Sequence, residues 1–376
     1  ACQVAHSLFN MPTKIARIRT EDYFSYPTLF SHDDLPVDVF IRPEALVTEL
    51  VQSLIEFPGA LQVLNFAKNR VKLVAIKPYF GGQMVGKTIS TLRRELKIDF
   101  KVVAIYRENH AVIPNGDTTI EIGDEVFFIA ESSKIKKVMG ALRRVDASNK
   151  HILIASGNDI GKSIAEKCER SYEVKVIEES GRRAHLLANA LNRAVVLHGD
   201  PSDRDLLINE NIDQMDVFCA VSDDDEANIM ACMLAKNLGV RTVMALIKRG
   251  VYVDLVESSH IDIAISPQQA TISRILRYVR RGDIHNVHSL RKGAAEAIEI
   301  VAHGDAGSSR VVGRAIRDLP ISSDIMIGAI VRDDEVIMST GDLVIETNDQ
   351  VILFVTNKKR IRDVEKLFQV SLGFFG

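Results

Sequence analysis

Six consecutive residues, Ser156, Gly157, Asn158, Asp159, Ile160 and Gly161, have the types and spacing to hold a phosphate. They follow a short apolar run, residues 151–155, and lead into apolar residues spaced for a helix over 160–171. A strand that turns sharply into a helix offers N–H groups without intrahelical partners and the positive end of the helix dipole, the setting in which a Rossmann sheet binds pyrophosphate. Of the three glycines in a G-x-G-x-x-G fingerprint, only the third stands here, as Gly161. Asn158 takes the place where a glycine lets backbone approach phosphate closely, and Asp159 adds negative charge beside it. The competing reading is a structural strand–helix turn that has lost its ligand.

Glu178 ends the next apolar run, 17 residues after Gly161, a position suited to accepting ribose hydroxyls. Asp200, in the turn 198–201, and Ser222 with Asp223, after the run 217–221, fall at the ends of two further strands. Ligands of doubly wound sheets bind beyond the carboxyl ends of the strands, so these residues form a site by placement. Glu178→Arg is expected to weaken dinucleotide binding without unfolding the domain.

Three other groupings invite chemistry. Residues 81–88 fit the P-loop expression G-x-x-x-x-G-K-[ST], but residues 77–80 separate them from the nearest strand, and the duplicate described below has Arg314 and Ala315 in place of Lys87 and Thr88. They read as a loop entering a short helix over 89–96. His285 and His288 are the only close histidine pair and have no third ligand nearby, so no metal site is assigned. The run Asp223, Asp224 and Asp225 is explained by a solvated helix start, with Asp225 as the cap.

The elements that position these residues alternate. Apolar runs at 174–177, 195–197, 217–221 and 242–247 are separated by helical patterns at 184–191 and 226–238, which predicts a doubly wound parallel sheet. Around it the chain repeats. Gly86, Lys87, Thr88 and Ile89 match Gly313, Arg314, Ala315 and Ile316 at an offset of 227. Residues 104–107, 116–117 and 126–129 match 329–332, 341–342 and 351–354 at 225. Ordered matches at nearly constant offset point to a duplicated unit. The second copy extends back from Ala231 to His151, whereas the chain opens at Ala1 with the counterpart of Ala231. A first Rossmann unit lacking roughly eighty residues is therefore expected.

The fold class is α/β: a doubly wound parallel Rossmann-type sheet, truncated in the first copy and complete in the second, each followed by a small β-rich αβ domain. The expected domains are 1–58, the first Rossmann remnant with its connecting helix; 59–145, the first small domain; 149–282, the second Rossmann domain; and 283–372, the second small domain. Residues 296–302 look helical by composition but duplicate the strand 71–76, so a strand is expected. Helices after Pro43, with Leu46, Leu50 and Leu54, and after Pro267, with Ile272, Ile275, Leu276 and Val279, each carry an apolar face that either packs within the chain or crosses to a second subunit.

Bulk properties exclude several classes. Hydrophobic residues are 46% and charged residues 26% of 376, and no apolar run is long enough to span a bilayer. No signal peptide is visible at the start. Lys and Arg total 47 against 50 acids with no basic stripe, so no nucleic-acid partner is expected. Cys168, Cys219 and Cys232 sit in apolar-periodic segments and read as reduced core residues. An NAD-dependent oxidoreductase needs a proton-handling His, Cys or Tyr–Lys pair near the nicotinamide, and residues 222–228 offer none. A regulatory binding module, not an enzyme, is the preferred reading, ahead of a scaffold that works by assembly alone.

The runs 216–228, 252–256, 266–271 and 14–19, set within two Rossmann-plus-αβ units, resemble the regulator of K+ conductance (RCK) family in its tandem, Trk-type form. The resemblance implies a regulatory subunit on the cytoplasmic face of the inner membrane, a homo-oligomer, attached to a potassium-conducting membrane protein of the TrkH or TrkG kind. It implies NAD(H), ATP or ADP as ligands. By motif, residues 156–160 match the phosphate loop, Glu178 the ribose acid and Ser222 with Asp223 the loop near the ligand. Arg17 matches an arginine that contacts phosphate in the first site, with Leu246 as its counterpart in the second copy.

Overall fold

A computed structural model describes residues 1–18, 21–30, 34–79, 82–108, 110–142, 149–257 and 260–370. Gly81 of the P-loop-like run, the boundary at 145 and the end at 372 lie outside the described residues. The chain forms two compact units, Ala1–Ile55 with Asn149–Ile275 and Glu56–Ser148 with Leu276–Gly376. No helix among the described residues is long and apolar enough to cross a membrane.

In the first unit the short apolar runs become a six-stranded, all-parallel sheet. Its order is Val195–His198, Glu173–Glu178, His151–Ala155, Val217–Ala220, Thr242–Leu246, Ile263–Ile265. Strands covered by helices on both faces need apolar residues at every position, not alternate ones. Val217–Ala220 is accordingly buried throughout. Chain order reverses direction between His151–Ala155 and Val217–Ala220, which opens a crevice at their carboxyl ends. The first copy supplies two further parallel strands, Ile15–Arg17 and Val39–Ile41, with Arg17 opposite Ile41 just as Leu246 lies opposite Ile265. Arg17 and Leu246 thus hold the same register position.

Two buried carboxylates stitch the lower end of the larger sheet. Glu169, 4% exposed, accepts the N–H groups of Asn192, Arg193 and Ala194 at 2.9, 2.7 and 3.0 Å. Asp216 accepts those of Lys150 and His151 and pairs with Arg241 at 2.7 Å. Cys168, Cys219 and Cys232 are free and buried, and burial pushes the Cys219 thiol up to about 12.

The second unit contains two five-stranded antiparallel sheets of identical topology. One comprises Ala60–Phe66, Val71–Ile76, Glu125–Glu131, Phe100–Arg107 and His110–Val112; the other Ile284–Leu290, Ala295–Val301, Gln350–Val355, Ile325–Arg332 and Glu335–Met338. The duplication extends to irregularities. Both sheets bulge at matching points, between Ala60 and Gln62 or Ile284 and Asn286, and between Val102 and Ala104 or Ile327 and Ala329. Arg107 forks onto fully buried Asp124 and reaches the Thr119 carbonyl, and Arg332 does the same with Asp349 and Val344. Ala295–Val301 is a strand, as the repeat required and composition did not.

One apolar cluster runs through both sheets and includes Phe66, Phe127, Ala297, Ala329 and Phe354. Lys101 crosses between them, donating to Ser339 Oγ at 2.7 Å and the Ile327 carbonyl at 3.0 Å, and burial lowers its pKa to about 8.

Several expectations change. Asp224, not Asp225, caps the helix Asp225–Asn237 by accepting the Ala227 N–H. Asp225 is 3% exposed and turns inward to take the N–H groups of Lys248 and Arg249 at 2.9 and 2.8 Å. In the helix Pro43–Glu56 the buried face is Val47, Val51, Leu54 and Ile55; Leu46 and Leu50 are half-buried, one position round the helix. The helices Arg204–Asn209 and Gly250–Glu257, and the strands Ala60–Phe66 and His110–Val112, were not foreseen. The P-loop-like lysine, Lys87, pairs with Glu95 at 2.5 Å, and Thr88 caps the helix Ile89–Leu96. His285 lies beside Asp283 and Glu299, while His288 stacks edge-on against Phe66, so the two histidines do not converge.

Candidate functional site

The loop after His151–Ala155 keeps glycine-type geometry with few glycines. Ser156, at the position of the fingerprint's first glycine, has φ of 91°, a conformation a side-chain-bearing residue adopts only at an energetic cost. A Cβ on Gly157 would lie 2.0 Å from Leu187 Cδ1, and one on Gly161 would lie 2.0 Å from the Ser156 carbonyl oxygen. Helix and strand approach so closely that neither position admits another residue without a shift. Gly161, set against backbone, is the stricter of the two, since the Leu187 side-chain end facing Gly157 can turn aside.

Asn158 explains how the loop closes. Its Oδ1 accepts the Gly161 N–H at 3.0 Å, capping the helix Asp159–Cys168, and its Nδ2 donates to the Val221 carbonyl at 2.7 Å. One side chain thus ties the helix start to the far side of the crevice. Asp159 is exposed in the first helical turn, and Ile160 is buried against the core.

Glu178 is 1% exposed. Its Oε2 accepts the Gly157 N–H at 2.8 Å; its Oε1 accepts the Ser180 N–H at 2.8 Å and both Nε and Nη2 of Arg183 at 2.9 and 2.7 Å. Burial alone would raise its pKa, but the hydrogen bonds from Ser180, Arg183 and Gly157 outweigh burial and hold it below the usual carboxylate range. The carboxylate is thus a structural clasp as well as a candidate ligand group, so Glu178→Arg is expected to cost stability as well as binding.

Across the crevice, Asn228 is 2% exposed and fixes the loop after Val217–Ala220: its Oδ1 accepts the Ser222 N–H, and its Nδ2 donates to the carbonyls of Ser222 and Leu246. Ser222 Oγ turns back to the Asp224 carbonyl, and Asp223 pairs with Lys248.

These groups surround a cavity of about 190 Å³. Of the expected residues, Ser156, Asn158, Glu178, Ser222 and Asp223 line it. Gly157, Asp159, Ile160 and Gly161 shape the loop without lining it. Asp200 accepts the Ser202 N–H at 2.7 Å and leaves the wall to Pro201 and Ser202. Arg17 is not among the lining residues; it faces Glu44 at 3.6 Å. Arg183 and Asn228 line the cavity and were not foreseen. Asn228 sits where a helix interior normally disfavours asparagine, the one local signal that could have marked it.

The TrkA-N domain family matches residues 152–267, and the TrkA-C domain family matches twice, at 73–143 and 306–369. The chain is 54% identical over 376 residues to the Trk system potassium uptake protein TrkA of Halomonas elongata, covering all of this chain and 82% of that protein. It belongs to the TrkA family. The TrkA proteins of Vibrio alginolyticus and Haemophilus influenzae are 51% and 44% identical over the same spans. Among solved structures, the GsuK RCK domain superposes with a TM-score of 0.54 at 15% identity over 97% of this chain and 77% of that one. The GsuK channel bound to NAD gives 0.52 at 14%, over 97% and 64%. This TrkA-family chain thus has the RCK fold, with the doubled small domain matching the two TrkA-C segments.

Ser156→Gly is expected to stabilise the chain by about 1 kcal/mol, because glycine occupies φ near 90° without steric cost. A urea midpoint that fails to rise would show that the turn is unstrained.

Proposed function

We propose that this chain is the regulatory subunit of a bacterial potassium uptake system. It binds NAD(H), ATP or ADP in the crevice of its second Rossmann sheet and gates a potassium-conducting membrane protein of the TrkH or TrkG kind. The observation that carries the reading is the clasp between Glu178 and the Gly157 N–H, which holds a phosphate-loop backbone in place after two fingerprint glycines have gone. Family membership supports the potassium system, and the clasp supports a nucleotide as the ligand.

Glu178 Oε1 already takes three donors, whereas Oε2 takes one, so a ribose hydroxyl donates to Oε2. Arg183, with its side chain 58% exposed, then faces the phosphates. A cavity of about 190 Å³ lies below the range of roughly 300–1,000 Å³ of whole-ligand pockets, so it encloses one nucleoside and leaves the rest of a dinucleotide in the open part of the crevice. Its lining contains no His, Cys, Tyr or Lys, which favours binding over hydride chemistry. Arg17 is proposed to serve a phosphate in the first copy's crevice. A bound nucleotide shifts the gate only if the two arrangements bind it with different affinity.

A second reading, a scaffold without ligand, is favoured by Asn158, which caps the helix end where phosphate would sit. Titrating the full chain with NADH and with ATP separates the two: saturable binding is expected, and none at millimolar ligand leaves only the scaffold. Substrate-dependent NADH turnover would instead restore the enzyme.

Assembly is proposed to run through the helix Pro267–Val279, none of whose residues is buried, with Ile272 and Val279 40% and 64% exposed. Ile272→Asp is expected to reduce the mass measured by light scattering; an unchanged mass would place the subunit contact elsewhere.

A further inference from the structure

Each connecting helix ends against a charge cluster of its small domain, and the two clusters are opposite in sign. At the second junction Arg280, one residue beyond Pro267–Val279, donates to Glu296 Oε1 at 2.5 Å, and Glu365, on the closing helix Ile361–Leu367, stands 4.0 Å from the same guanidinium. At the first junction Glu56, the last residue of Pro43–Glu56, pairs with Lys136 of the closing helix Ser132–Leu142 at 3.1 Å, and Lys72 is the strand charge. Glu56 and Arg280 are 224 residues apart, as are Lys72 and Glu296. Sheet register confirms the equivalence: Lys72 lies opposite Asn65 and Ala130, and Glu296 opposite Ser289 and Val355.

The order helix end, strand, closing helix is therefore minus, plus, plus in the first copy and plus, minus, minus in the second. Both central charges are buried, Lys72 at 8% and Glu296 at 4% exposed. Burial lowers the Lys72 pKa, Glu56 opposes that and Lys136 adds to it; burial raises that of Glu296, Arg280 opposes that and Glu365 adds to it. Lys72 is further held by Asn65 and Asn69, both at 2.5 Å, and lies over the Phe57 ring. Glu296 Oε2 and Arg280 Nε are buried without a hydrogen-bond partner. The second cluster thus depends on its charges more than on neutral hydrogen bonds.

Strand order and bulges do not tell the two small domains apart, since they coincide. Charge does. We propose that the inverted clusters are an electrostatic address that restricts each connecting helix end to the small domain of its own repeat, within one chain and among copies of it. Glu56 and Arg280 stand four residues before the strands Ala60–Phe66 and Ile284–Leu290, so an exchanged docking carries that first strand along with the helix end; it would set Glu56 against Glu296 and Glu365, and Arg280 against Lys72 and Lys136. Like charges brought together at a partly buried site disfavour the wrong pairing more than correct pairs favour the right one.

The test uses the full chain with charge-inverted variants, read by thermal melting and by size after refolding. Arg280→Glu is expected to lower the melting temperature by several degrees more than Arg280→Gln, and adding Glu296→Lys is expected to recover most of the loss. Glu56→Arg combined with Arg280→Glu gives both helix ends the foreign address and is expected to refold into exchanged species of larger size. Adding Lys72→Glu, Lys136→Glu, Glu296→Lys and Glu365→Lys, which inverts both clusters whole, is expected to restore the native elution. Equal melting of Arg280→Glu and Arg280→Gln, no recovery with Glu296→Lys, or native refolding of the double helix-end variant would each overturn the proposal.

Discussion

Glu178→Ala is expected to lower stability by about 3 kcal/mol and to weaken NADH binding at least about tenfold. The carboxylate is 1% exposed and accepts the N–H groups of Gly157 and Ser180 at 2.8 Å each. Deleting an acceptor leaves its donors unpaired, at about 1–3 kcal/mol for each buried group. Arg183 regains water and recovers part of its share, its side chain being 58% exposed. Binding falls because the Gly157 N–H no longer anchors the loop and the ribose acceptor is gone. The effect has a pH signature. The folded carboxyl has a lowered pKa, so its contribution is present above the unfolded value, near 4.3, and is lost as pH falls through the folded value. The variant should therefore lose less stability than the parent on acidification over that range. Urea unfolding from pH 7 downward, with an NADH titration at pH 7, checks both halves. Parallel pH profiles for variant and parent would mean that the clasp is not charged.

Gly161→Ala is expected to cost about 3 kcal/mol, the upper end for one methyl forced into a packed site. The added carbon would sit 2.0 Å from the Ser156 carbonyl oxygen. That atom is backbone and belongs to the turn already strained at φ of 91°, so it cannot swing aside as a side-chain end could. The helix start must move away, which breaks the cap from Asn158 to the Gly161 N–H and spoils the cavity wall. Nucleotide binding should vanish with the stability. Gly140→Ala is the matched control: it lies in the helix Ser132–Leu142 with nothing within 4 Å of a Cβ, so alanine there should stabilise by up to about 1 kcal/mol. Similar melting of the two variants would refute the close-approach argument.

The clasp illustrates how far the candidate site was legible. The ends of parallel strands can be located along the chain, so Ser156, Glu178 and Ser222 could be assigned to one crevice before any coordinates. Their partners could not. Arg183 reaches Glu178 because Gly181–Ala190 begins just beside the strand end, and Asn228 reaches back to the loop of Ser222 and across to Leu246. Neither contact leaves a periodic trace. Asp224 and Asp225 make the same point: adjacent identical residues share every local preference, yet one faces water as a cap and the other is buried on the next loop's N–H groups.

Apolar period and the internal repeat determined the parallel sheet, the duplication, the strand at Ala295–Val301 and the place of the crevice. All of these rest on local apolar spacing or on self-similarity, and both survive without knowledge of what packs where. Tertiary structure alone decided that the two small sheets share one core, that Glu169 gathers the N–H groups of three successive residues, and that Lys72 and Glu296 are buried with inverted surroundings. A charge in a sequence carries no mark of its solvent exposure. Its worth is fixed only when distant segments close around it and water is excluded.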